Sequence, residues 1–359
     1  MPNRWGLVGF AVALLAVAAW LTAEGSIQGL EIFAVSLLLG GAFVWLDFGF
    51  TAGFRDLLVR GDGRALAAAA IIPAILALVV LPVGAGSGGY GRFLAPVGLS
   101  LLLGAAVFGV GMQLANGCGS GCLVAAGQGS RRMLVALPCF ALGGVVGTLL
   151  LPTALGWPNL GVLDLATLGP WVGLAATEAL LGLLALVLLR GARPDPARLT
   201  AGAVIGLLAV ALFLVAGEPW GITMGLTLLG AKAVRALGVD LATTSFWASD
   251  GARALLDAPA LAMPSALSDV GLLLGAGIAA CAAGHFRLGA SLTWRQAAAG
   301  ALGGALMGVG ARLSFGCNIG AFVSGTASGS LHGLVWIVAV LPGCWLGIRL
   351  RPWFERVPR

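Results

Sequence analysis

Gly109-Val110-Gly111-Met112-Gln113-Leu114-Ala115-Asn116-Gly117-Cys118-Gly119-Ser120-Gly121-Cys122 occurs a second time, as Gly308-Val309-Gly310-Ala311-Arg312-Leu313-Ser314-Phe315-Gly316-Cys317-Asn318-Ile319-Gly320. Seven positions coincide at one constant offset of 199, among them Gly117/Gly316, Cys118/Cys317 and Gly121/Gly320. After one inserted residue, Gly129-Ser130 falls on Gly329-Ser330. Small residues alone line many helix contacts in membranes. A run duplicated around a single cysteine carries more.

The rest of the chain says where that run sits. Of 359 residues, 59% are hydrophobic and 9% charged, with a mean hydropathy of +1.02. Soluble domains have roughly 45–50% and about a quarter respectively, so this composition is that of a polytopic membrane protein. The excess of 20 Lys and Arg over 14 acidic residues lies in short gaps between apolar runs, where it sets topology. It does not indicate nucleic acid. None of the six cysteines occupies an obvious loop on the far side of the membrane, so free thiols are expected. No Cys/His set has zinc spacing, and neither a metal nor a cofactor is expected.

Apolar runs at about 5–23, 27–46, 65–83, 93–115, 133–151, 168–189, 199–217, 269–284, 296–314 and 331–348 are each near the length that crosses the hydrocarbon core. The first could be a signal peptide, but the symmetry below requires a retained span. If the ten spans alternate, fifteen of the twenty cations fall on one face: Arg4, Arg55, Arg60, Arg64, Arg131, Arg132, Arg190, Arg193, Arg198, Arg287, Arg295, Arg349, Arg351, Arg356 and Arg359. Both termini are therefore expected in the cytoplasm. Glu178 and Arg312 fall inside spans, where a structural ion pair or snorkelling is expected of them.

Four stretches are too short or too glycine-rich for ordinary spans: 48–59, 116–130, 220–237 and 315–330. The first and third are themselves related, since Gly49-Phe50-Thr51-Ala52-Gly53 matches Gly221-Ile222-Thr223-Met224-Gly225 at an offset of 172. The later offset of 199 gives the second half 27 more residues between its two elements, which the polar stretch 239–268 accommodates. Residues 1–167 and 168–359 thus read as two repeats of five spans and two interrupted elements each. Five is odd, so the second copy enters from the opposite face. The expected fold is an all-α polytopic membrane protein, an inverted-topology repeat with short broken or re-entrant helices that meet near the midplane.

A glycine-rich re-entrant turn exposes backbone N–H groups, and a half-helix starting there adds the positive end of its dipole. Such a site suits an anion without a fixed cation that would hold it too tightly. Thiols buried in an apolar pocket stay protonated, soft and uncharged, and suit a sulfur atom better than a hard oxygen. Cys118 and Cys317 are accordingly the candidate ligands, with Gly117, Gly121, Gly316 and Gly320 around them and Cys122 nearby. Cys139, Cys281 and Cys344 read as packing residues. Asn318, Asn116 and Gln113 either orient a ligand or satisfy local backbone. A sulfurtransferase working through a persulfide on Cys118 or Cys122 would need an activating base, and none stands close to Cys118 in sequence. An enzyme is not expected.

The two Gly-Cys-x-x-Gly elements, Gly117 to Gly121 and Gly316 to Gly320, together with Phe48-Gly49-Phe50-Thr51 running on to Arg55-Asp56, resemble the YeeE/YedE sulfur-transport family over about residues 27–348. The resemblance implies a bacterial inner-membrane protein that takes up thiosulfate along a path of cysteines, with a small cytoplasmic sulfur-carrier protein as possible partner. By that match Cys118 and Cys317 hold the two central cysteine positions. The family's Phe-Cys-Phe-Thr reads Phe48-Gly49-Phe50-Thr51 here, so a third relay thiol is missing at Gly49, and another sulfur or selenium species comes into consideration.

Overall fold

The computed structural model describes residues 3–84, 88–288 and 291–355; Arg356 and Arg359 of the cation count lie outside them. Among the described residues, ten helical segments are long and apolar enough to cross a membrane. In chain order the helices are α1 (Arg4–Ala23), α2 (Ile27–Trp45), α3 (Phe50–Arg60), α4 (Arg64–Ala69), α5 (Ile71–Gly84), α6 (Leu99–Ala115), α7 (Gly119–Gly127) and α8 (Arg131–Leu155) in the first half. The second half holds α9 (Pro170–Leu189), α10 (Pro196–Ala216), α11 (Thr223–Ala236), α12 (Asp250–Asp257), α13 (Pro264–Ala282), α14 (Trp294–Leu313), a π-helix (Asn318–Gly325) and α15 (Leu331–Glu355). The Asn3 amide before α1 donates to the Cys281 carbonyl near the end of α13 at 3.1 Å, and the Arg287 amide beyond α13 donates to the Gln128 carbonyl just before α8 at 3.2 Å. Arg132 at the start of α8 meets Glu355 at the end of α15, so the two ends of the described chain share one face, called here the terminal face. The four interrupted stretches become α3, α7, α11 and the π-helix.

Two short strands depart from expectation. β1 (Pro96–Gly98) pairs antiparallel with β2 (Asn159–Val162), so the helix expected from residue 93 begins only at Leu99. Gly98 has its Cβ position 2.3 Å from the Asn159 side chain, an approach that a larger residue would block.

Helix packing repeats when the halves are exchanged. α2 packs on α13 and α10 on α5; α8 on α14 and α15 on α6; α7 on α13 and the π-helix on α5; α8 on α11 and α15 on α3. At the centre α6 crosses α14, its counterpart. There a Cβ on Gly111 would stand 2.5 Å from the Gly303 carbonyl, and one on Gly104 2.8 Å from the Gly310 carbonyl. Each glycine removed from one helix therefore faces a glycine of the other, letting backbones meet as small residues do in membranes. The two helices end alike as well. Asn116 (φ 66°) and Phe315 (φ 59°), one repeat apart, are both left-handed. The Gly117 and Gly316 amides then reach back to the Met112 and Ala311 carbonyls, at 3.2 and 2.7 Å. This is a helix-ending Schellman turn, and it points the following cysteine back into the protein.

The one residue by which the second copy exceeds the first between Gly320 and Gly329 appears as the π-helix. A coil with i→i+5 hydrogen bonds holds more residues per turn than an α-helix, so the extra residue is absorbed without moving either end. On the face opposite the termini, residues 240–263 form a cap around buried Trp247, whose indole N–H donates to Thr148 at 2.9 Å.

Candidate functional site

Cys118 is the N-cap of α7, and its sulfur accepts from the Gly121 amide at 3.3 Å, as a serine or aspartate oxygen does at ordinary caps. Ser120 Oγ lies 3.5 Å from the same sulfur. The thiol therefore stands at the positive end of a short helix. Cys317 is the N-cap of the π-helix, without a hydrogen bond from its sulfur to the helix amides. Both cysteines are sealed, Cys118 at 1% and Cys317 at 0% exposure.

The two hairpin tips meet. A Cβ on Gly119, the residue after Cys118, would stand 3.3 Å from the Cys317 sulfur and 3.6 Å from Ile222. Gly320 is buried, yet a Cβ there would find no atom within 4 Å, so empty space borders the backbone one turn from the Cys317 thiol. Gly117 backs against Cys122, whose sulfur is 3.0 Å from its Cβ position, and Gly316 holds the matching place against the Ala321 amide. Cys122 is thus one turn behind Cys118, on the side of Met133. All six cysteines are free.

Around this point buried polar atoms lack partners. Both side-chain atoms of Asn318 (1% exposed) make no hydrogen bond, and neither does the hydroxyl of Thr223 (5% exposed). The Thr51 hydroxyl, its counterpart in the first half, is equally orphaned. Each such group costs on the order of 1–3 kcal/mol unless something supplies its bond. In the sequence, the only signal for these two threonines is their equal place in the shared Gly-x-Thr-x-Gly, which by itself assigns them no role.

Gly49 is apart from this cluster. It is exposed, and it opens on a cavity of about 430 Å³ shared with Asp47, Asp56, Asp195 and Arg198. None of the cysteines lines that cavity. Gln113 donates to the Thr51 carbonyl at 3.3 Å, while Asn116 accepts from Arg55 and Arg351. Arg312, the counterpart of Gln113, meets a thioether and an aromatic face rather than a carboxylate. Its guanidinium lies 3.4 Å from the Met224 sulfur and 5.0 Å from the Phe246 ring centre, because the cap brings an aromatic face to it. Glu178 keeps one oxygen unpartnered.

Residues 47–346 match the model of a family described as sulphur transport. The chain is 28% identical over 327 residues, 82% of its own length and 91% of the other's, to the thiosulfate transporter TsuA of Spirochaeta thermophila. It is 29% identical over 167 residues to the probable transporter YedE of Escherichia coli, which spans 46% of this chain and 39% of that one.

Proposed function

Because this chain belongs to the sulphur transport family, we propose that it is a permease which takes up thiosulfate or a related sulfur-containing anion across the bacterial inner membrane. The anion's terminal sulfur is handed between the thiols of Cys118 and Cys317. The Gly121 and Gly320 amides and the Asn318 side chain meet its oxygens, and Gly117 and Gly316 let the two tips turn inward. Cys122 stands in reserve behind Cys118. Residues 1–167 and 168–359 form the two copies of an inverted repeat, with both termini cytoplasmic, so α7 dips in from the cytoplasm and the π-helix from outside. Gly49 lies on the cytoplasmic side, where a sulfur-carrier protein could receive the product.

One observation carries this reading. The residue after one cysteine stands so near the sulfur of the other that a Cβ on it would be 3.3 Å away, and empty space, unpartnered polar atoms and two helix starts surround that approach. Neutral thiols and amides can bind a dianion and still release it, as a fixed cation there would not. The similarity to a thiosulfate transporter over most of both chains supports the choice of anion. Replacing Cys317 with Ala in cells without other importers tests it: uptake of labelled thiosulfate should fall to background at matched expression. Undiminished uptake would refute the proposal.

A further inference from the structure

On the terminal face, arginines from three elements converge beneath the Cys118 hairpin. Arg55 of α3 and Arg351 of α15 both donate to one acceptor, Asn116 Oδ1, at 3.1 and 2.9 Å. Asn116 is the left-handed residue two positions before Cys118. Arg132, at the start of α8, donates to the Leu114 carbonyl and, through its other terminal nitrogen, to Glu355 Oε1 at 3.1 Å. Arg351 Nε reaches the same Glu355 oxygen at 2.8 Å. Arg55, Arg351 and Glu355, with Ile348 and Pro352, line a cavity of about 590 Å³. The neighbouring Asp56 is engaged by Arg60 at 3.3 Å. Three guanidinium groups therefore share one carboxylate and one amide oxygen.

We propose that this cavity is a binding site for a small doubly charged oxyanion, and that Glu355 is its built-in competitor. A single oxygen of Glu355 accepts from two guanidinium groups on different helices, which is how arginines grip a carboxylate, sulfate or phosphate oxygen. A dianion in the cavity could take the Arg351 donor from Glu355 and also engage Arg55, which lines the same cavity and which Glu355 does not touch. Two arginines held by different helices would ordinarily bind such an ion too firmly for a passing load. A tethered carboxylate changes that, because its effective concentration is on the order of millimolar and it reoccupies the donors as the ion leaves. Through Asn116 the same arginines hold the turn that aims Cys118, so occupancy of the cavity is communicated to the thiol hairpin. That the ion arrives from Cys118 rests on the transport reading; the site itself does not.

Sulfate, which has oxyanion geometry and no terminal sulfur, is the probe. Calorimetric titration of the purified full-length protein should show Glu355→Gln binding sulfate at least tenfold more tightly than wild type, and Glu355→Ala doing the same. Adding Arg351→Gln to either should return affinity to the wild-type level or below. Sulfate affinity within twofold of wild type in both Glu355 variants would overturn the proposal, as would tight binding that survives the loss of Arg351. Uptake of labelled thiosulfate separates the two ideas. Uptake that needs Cys317 while sulfate affinity ignores Glu355 leaves transport standing without this site. Tightened sulfate binding in a protein that moves no thiosulfate leaves the site standing without transport.

Discussion

The Cβ position of Gly119 lies 3.3 Å from the Cys317 sulfur, although the two residues are nearly two hundred positions apart. A methyl group there would press the thiol by a few tenths of an ångström and stiffen the tip of the first hairpin. Gly119→Ala should fold, since alanine in a helix is favoured over glycine by roughly 0.5–1 kcal/mol, which offsets the crowding. Thiosulfate uptake should fall several-fold, and unchanged uptake with normal expression would separate this contact from the path.

Gly320→Ala makes the complementary case. No atom waits within 4 Å of the new methyl, so thermal stability should be unchanged or slightly raised. If the void is where the anion's sulfur rests, uptake should drop at least tenfold. A variant that is both stable and fully active would show the void to be idle.

Asn318→Ala should uncouple stability from activity in the same direction. Removing a buried amide with no hydrogen bonds is neutral or stabilising, by up to about 1–3 kcal/mol. The melting temperature in detergent should hold or rise while the apparent affinity for thiosulfate weakens. A melting temperature that falls steeply would mean that the amide is satisfied in the folded protein.

Gly49 has extended backbone (φ −164°) and nothing within 4 Å of its Cβ position, so cysteine fits there without strain. Gly49→Cys should raise the thiosulfate uptake rate at least twofold if a thiol at that position extends the relay. Because the position is exposed, a membrane-impermeant maleimide should label it in inside-out vesicles and not in intact spheroplasts. The opposite labelling pattern would reverse the orientation proposed for the whole chain.

The Arg92–Asp164 pair fastens the face opposite the termini, with two contacts of 2.8 and 2.7 Å and a further bond from Arg92 to the Ser328 carbonyl. Burial pushes the Asp164 carboxyl up, but the hydrogen bonds from Arg92 and the Ala166 amide and the arginine's charge outweigh it, leaving the group below its ordinary value of 3.8. A lowered folded-state value means that the pair's contribution is complete above that ordinary value and disappears as pH falls through the folded one. Asp164→Asn should cost about 2 kcal/mol at pH 7, between the values for exposed and buried pairs. The difference in melting temperature from wild type should shrink on acidification below pH 4, and a constant difference would contradict the assignment.

Much of this arrangement could be read from spacing. The 199-residue offset located both thiol hairpins, and the apolar runs located the long apolar helices, because both signals are local to a helix or a turn. What escaped depends on neighbours from far along the chain. Asn116 could be either ligand or filler until Arg55 and Arg351 came to it from 61 positions before and 235 after. Nothing local to Arg312 says that Phe246, from a stretch with no periodicity, covers it. The extra residue after Gly320 was visible, but spacing alone does not distinguish a widened coil from a bulged loop. The same holds for β1, which exists only because β2 runs beside it.

Both thiols are buried inside the protein. On the permease reading proposed above, a resting state this closed would block proton leakage, and a cell could keep many copies in its membrane without draining its electrochemical gradient. On that reading an ion would have to part the hairpins and shed its hydration shell as it went, which would put the energy barrier in the buried stretch between the two sulfurs.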